Sequence, residues 1–174
     1  MNHAERERLF LDLFAGNKAR IHRLCHGYLN SSADAEDLFQ EVMANVWNSL
    51  PRFRGEASPA TWFYRIAVNT ALIHRRKRPR EEPLTDVADR GGSPQQTLEQ
   101  EERLAALRHA IGGLPDGDRL VVTLLLEGLS YKEIAEITGM TVNYVGVKIS
   151  RIKQALEQSM SGAAAAPEVA HGRV

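Results

Sequence analysis

The sequence predicts an all-α protein: two small helical domains joined by a flexible linker, the second containing a helix-turn-helix. Three observations predict it. Apolar residues recur at helical rather than alternating spacing, as with Val145, Ile149, Ile152 and Leu156. Helix punctuation is dense, with Ser, Thr or Asp before the apolar runs and Gly or Pro after them. Between residues 79 and 95, PREEPLTDVADRGGSPQ, apolar content falls while three prolines and an adjacent glycine pair appear. A structureless stretch of that length is uncommon inside one compact domain.

The elements follow in order. A first helix is expected from about 4 to 29, with Gly16 as a possible break. A second starts after Ser31, where Asp34 three residues on serves as a capping acid, and Pro51 stops it near Leu50. RFRGEASP, residues 52–59, is a loop holding Gly55 and Pro59. A third helix runs from about 60 to 76 and Pro79 ends it. The 17 residues from 79 to 95, fully extended, reach at most roughly 56–61 Å. The second domain opens with a helix over about 97–113, with Leu98, Leu104, Leu107 and Ile111 apolar. A Leu114-Pro115 corner leads to a helix over about 118–127 that ends at Gly128. The tail 161–174, low in complexity, is expected to be disordered.

The most informative stretch is SYKEIAEITGMTVNYVGVKISRIKQAL, residues 130–156. Ser130 and Glu133 form a capping box for a helix of about two turns. Gly139 stands where that helix must end in a left-handed residue. Thr141 then caps a second helix, which buries Val145, Ile149, Ile152 and Leu156 and turns Tyr144, Val147, Lys148 and Arg151 outward. A short helix, a glycine turn and a basic second helix form the pattern that enters a DNA major groove.

Charge supports that partner by its distribution. The 174 residues carry 22 basic and 22 acidic side chains and no net charge, which excludes a whole-surface nucleic-acid binder. Yet 65–80 holds six Lys/Arg and no acid, while 34–41 holds four acids and no base. Either run alone reads as a solvated helix face. The one cysteine, Cys25, excludes an intramolecular disulfide, and no signal-peptide core or membrane-length apolar run occurs, so a cytoplasmic protein is expected. His22, Cys25 and His26 would place three metal ligands on one helix, but the sequence offers no fourth. A core cysteine edged by histidines is expected there, with no metal and no cofactor. No Ser/His/Asp set, phosphate loop or paired carboxylates has a usable spacing, so neither an enzyme site nor a small-molecule substrate is expected.

Further motifs carry a resemblance. DAEDLFQEVMANVW at 34–47, FRGEASPATWFYRIAVNTALIHRRKR at 53–78 and LPDGDRLVVTLLLEGLSYKEIAEITGM at 114–140, followed by the basic helix, are similar to the extracytoplasmic-function sigma factors of bacterial RNA polymerase, in the sigma-70 family. The resemblance covers residues 5–157 and implies a factor that binds core RNA polymerase and directs it to promoter DNA. It implies a region 2-like domain at 1–78, a linker at 79–95, a region 4-like domain at 96–160 and a tail at 161–174. Polymerase binding falls on Asp37, Gln40 and Glu41. Recognition and melting of the minus-10 element fall on Arg54, Trp62, Arg65, Asn69, Arg75 and Arg76, a mixture of ring, amide and cations suited to unstacked bases and phosphates. Reading of the minus-35 element falls on Asn143, Tyr144, Lys148, Arg151 and Lys153. An anti-sigma protein is a further implied partner. Gly146 and Val147 depart from the family, which often has a basic and a small polar residue there. From the residues alone, a dimeric helix-turn-helix regulator and a protein-binding adaptor remain open.

Overall fold

The computed structural model describes residues 2–77 and 98–164, and among them every regular element is helical. Seven α-helices occur in the order α1 (His3–Tyr28), α2 (Ser32–Ser49), α3 (Pro59–Lys77), α4 (Leu98–Gly112), α5 (Asp116–Leu126), α6 (Tyr131–Thr138) and α7 (Val142–Ala164). The linker and tail expectations lie largely outside the described residues.

Local chemistry sets the helix ends. Asn2 caps α1 by accepting from the Glu5 amide at 2.8 Å, and the Glu5 carboxylate accepts from the Asn2 amide at 2.9 Å. α1 runs unbroken through Gly16, where an added Cβ would meet nothing within 4 Å. One Gly costs a helix about 1 kcal/mol against Ala, too little to break a helix held by tertiary packing. Ser31 accepts from the Asp34 amide at 3.3 Å to start α2. Pro51 does stop α2, but through a single 3₁₀ turn at Leu50–Arg52. Ser58 accepts from the Thr61 amide at 3.1 Å, and Pro59 takes the first position of α3, where a missing N–H costs nothing.

α1, α2 and α3 pack around Ile21, Leu24, Leu38, Val42, Val46, Phe63 and Ala67, all fully buried. α4–α7 pack around Leu120, Val121, Leu124, Ile134, Val145, Ile149 and Ile152. The two groups also touch, and buried apolar residues of both form one continuous cluster. α5 lies against the C-terminal end of α1, where a Cβ on Gly27 would come within 2.9 Å of Thr123 Cγ2, so the approach requires glycine. Beside it the buried Arg119 donates to the carbonyls of Tyr28 (3.3 Å) and Leu114 (3.2 Å) and to that of Gly112. A cation on carbonyls at the ends of α1 and α4 is favoured by both helix dipoles.

Candidate nucleic-acid interface

The helix-turn-helix forms as its sequence predicts. Ser130 accepts from the Glu133 amide at 3.3 Å, and the Glu133 carboxylate accepts from the Ser130 amide at 2.8 Å and hydroxyl at 2.7 Å. The Ser130 hydroxyl, then its amide, hold the Glu133 carboxyl below its ordinary pKa. Gly139 closes α6 at φ +75°, and its N–H donates to the Ala135 carbonyl at 2.9 Å. The Thr141 hydroxyl accepts from the Tyr144 amide at 3.2 Å, setting the start of α7. Val145, Ile149, Ile152 and Leu156 are buried against the rest of the domain. α7 continues to Ala164, well past Leu156.

The outward face of α7 divides in two. Asn143, Tyr144, Val147, Arg151 and Lys153 are exposed. Lys148 instead forms an ion pair with Asp118 of α5, with side-chain exposures of 18% and 29%, and its Nζ lies 6.0 Å from the centre of the Tyr144 ring. Periodicity gives the face of Lys148 but not this partner, because Asp118 comes from another helix. Gly146 faces the Tyr131 ring, which a Cβ would meet at 3.8 Å, an ordinary contact. The fold itself therefore leaves room for alanine at Gly146.

A second cationic and aromatic feature lies where the 52–58 loop meets α3. Pro51, Arg52, Phe53, Arg54, Trp62 and Arg65 contribute to an open cleft of about 520 Å³. Gly55, at φ +73°, makes the loop's sharp turn. Trp62 is half-buried and its ring sits 5.0 Å from that of Phe53, so part of the indole is core and part faces the cleft. Sequence points to the 52–58 loop as a pocket wall and to Arg54 within it, while the contribution of Phe53 to the cleft comes from its packing on Trp62. Arg65 borders the cleft and also donates to the Glu136 carbonyl of α6 at 3.1 Å. Arg75 donates to Asp116 at the start of α5 at 3.2 Å, while Asn69 and Arg76 are exposed on α3. Arg65 and Arg75, both expected at DNA, thus bind α5–α6 in this arrangement.

Asp37 and Gln40 are exposed on α2. Glu41 instead turns toward α3, where its carboxylate lies 2.8 Å from Nδ1 of the buried His74. Of the three residues expected at the polymerase, Glu41 thus ties α2 to α3.

This architecture is that of an all-helical DNA-binding protein of the helix-turn-helix class with an additional three-helix unit. Residues 13–81 match the family Sigma-70 region 2, and residues 104–156 match Sigma-70, region 4. The chain is 34% identical over 143 residues to the ECF RNA polymerase sigma-E factor of Escherichia coli K12, covering 74% of this chain and 75% of that protein. It is 31% identical over 147 residues to the RNA polymerase sigma-H factor of Pseudomonas aeruginosa, covering 76% of each. The chain belongs to the sigma-70 family, as an extracytoplasmic-function RNA polymerase sigma factor. Its fold is shared with CnrH in complex with the cytosolic domain of CnrY (TM-score 0.67, 21% identity, 90% of both chains). It is shared equally with the sigma factor RpoE in complex with the anti-sigma factor NepR from Bartonella quintana (TM-score 0.67, 20% identity, 92% of this chain and 98% of that one).

Proposed function

We infer a two-point division of labour. Residues 1–78 dock on core RNA polymerase and open the minus-10 element, residues 79–95 tether, and residues 96–160 hold the minus-35 duplex. The observation that carries this reading is the cleft beside Trp62 on the same chain as the helix-turn-helix. An open cleft of about 520 Å³ lined by Arg54, Phe53 and Trp62 suits one base drawn from a melted strand. The aromatic rings supply stacking, worth about 1–3 kcal/mol per base, and the guanidiniums supply phosphate contacts. Exposed Asn69 and Arg76 continue that track along α3, and Arg75 joins it on releasing Asp116. Asn143, Tyr144, Arg151 and Lys153 face the duplex, and Lys148 joins them on leaving Asp118. Promoter engagement therefore exchanges intramolecular carboxylates and a carbonyl for phosphates at three cations: Arg65, Arg75 and Lys148.

Asp37 and Gln40 are the polymerase-facing pair, with Glu41 supporting through His74. Charges at such an interface set specificity and on-rate more than affinity. The protein acts in the cytoplasm as a non-enzymatic subunit. No described helix is long and apolar enough to cross a membrane. An anti-sigma protein holds it inactive by clasping both helical groups, a reading supported by the fold shared with a sigma factor solved in complex with an anti-sigma factor.

Paired variants test the division. Asp37→Ala should weaken capture by core polymerase first, and Arg151→Ala should weaken promoter use with core binding intact. Trp62→Ala should leave closed-promoter binding in place and reduce strand opening, read by permanganate reactivity of unpaired thymines. Equal loss of core binding and promoter use in Arg151→Ala would overturn the assignment.

A further inference from the structure

His22 and His26 stand four residues apart on α1, one turn above each other on the same face. Their ring centres are 4.3 Å apart. Glu36, in the second turn of α2, brings one carboxylate oxygen to 3.1 Å from His22 Nε2 and 3.9 Å from His26 Nε2. The three ligand atoms all lie within 4.8 Å of one another. Zinc bonds to nitrogen and oxygen of about 2.0–2.2 Å, in tetrahedral array, hold neighbouring ligand atoms roughly 3.3 Å apart. Side-chain shifts of about an ångström would bring these atoms to that spacing. We propose that His22, His26 and Glu36 form a binding site for a borderline divalent transition-metal ion of the zinc class, pinning α1 to α2.

The ligand set differs from the one the sequence offers. Cys25 lies between the histidines but is fully buried in the core, away from the open side on which the two imidazoles and Glu36 meet. Glu36 takes the third place because α2 packs antiparallel along α1 through the short Leu29–Ser31 connection. The site is also partly ordered beforehand. The His22 ring meets Phe39 of α2 edge-on at 5.3 Å, and the His26 side chain is only 15% exposed. Packing thus restrains both imidazoles before an ion arrives, as a preorganised binding site requires. Two imidazoles and one carboxylate leave positions for water, an open set compatible with zinc, nickel, cobalt or copper and ill suited to calcium or magnesium, which take oxygen. The site stands on its own geometry, whether or not α2 is the polymerase-docking helix.

The test uses untagged full-length protein at pH 7.5, stripped with chelator, titrated separately with Zn²⁺ and Co²⁺. One equivalent should bind, with the visible absorption of a four- or five-coordinate cobalt centre, and Zn²⁺ should raise Tm. His22→Ala, His26→Ala and Glu36→Gln should each lower affinity at least tenfold and abolish the Tm rise. His109→Ala, an exposed histidine on α4, should leave both unchanged. Far-UV spectra and Tm of the metal-free variants separate lost ligands from lost folding, and Glu36→Gln, at an exposed position, keeps the test readable should a histidine variant misfold. No stoichiometric binding at micromolar metal would overturn the proposal, as would unchanged affinity in Glu36→Gln or a thiolate-to-cobalt charge-transfer band implicating Cys25.

Discussion

Replacing Asp118 by Asn should tighten minus-35 binding. Lys148 lies on the face of α7 proposed to meet DNA, but its ammonium is held by Asp118. To bind a phosphate it must give up that partner. The pair is part-exposed, with 18% and 29% of the two side chains accessible, so its strength is that of a screened surface pair, about 0.2–1 kcal/mol. Removing the carboxylate charge should therefore lower Kd by about 1.4- to 5-fold. The salt dependence gives a sharper signature. Each phosphate neutralised on duplex DNA adds about −0.9 to the slope of log K against log salt. Lys148→Ala should make the slope shallower by up to that amount, and Asp118→Asn should leave it equal or steeper. In the Lys148→Ala background Asp118→Asn should have little effect, because the pair is already broken. Fluorescence anisotropy of the sigma–core complex on a mapped promoter fragment, from about 50 to 200 mM salt, measures all four corners of the cycle. Unchanged slope and affinity in both single variants would show that Lys148 stays with Asp118 in the promoter complex and reads nothing.

Other consequences follow from the same packing. Gly146→Ala should stabilise α7 by up to about 1 kcal/mol in urea unfolding, since the Cβ has room beside Tyr131. If that variant instead loses minus-35 affinity while gaining stability, the glycine serves a close backbone approach to DNA. Arg119→Met should destabilise by about 2–5 kcal/mol, leaving the carbonyls of Tyr28, Gly112 and Leu114 without their cation, again read by urea unfolding. Alkali should also destabilise the fold. Burial raises Cys25 from 9.0 to about 12 and Tyr28 from 10.0 to about 12, so the native state keeps protons that the unfolded chain releases. Their stabilising contribution is full below about pH 9 and fades as pH rises toward 12, by about 4 kcal/mol for a thiol shifted three units. Denaturant midpoints should fall steadily over that range, and a flat profile would contradict the burial of both groups.

Much of the fold was legible because helix termini are local chemistry. Ser130, Glu133, Gly139 and Thr141 announce the helix-turn-helix within a dozen residues, and the stripe from Val145 to Leu156 follows from periodicity alone. What sequence spacing does not encode is the partner on another element. Nothing local to Lys148 points to Asp118, nothing local to Glu41 points to His74, and nothing in the His22/His26 spacing selects Glu36 over Cys25. Cys25 sits within the same five-residue window, yet an i+3 position rotates it toward the core while i+4 keeps His26 beside His22. Contact between the two helical groups was equally hidden. It depends on Gly27 admitting Thr123 and on Arg119 reaching across to Tyr28.

In the proposed function, one chain reads two promoter elements while bound to polymerase. Run-off transcription from genomic fragments, with core RNA polymerase and purified protein, tests it most directly. Discrete start sites should appear only with both components, share two upstream elements, and weaken in Trp62→Ala and Arg151→Ala. Tight binding to a palindromic duplex without polymerase, no co-elution with core and no start-site selection would contradict it.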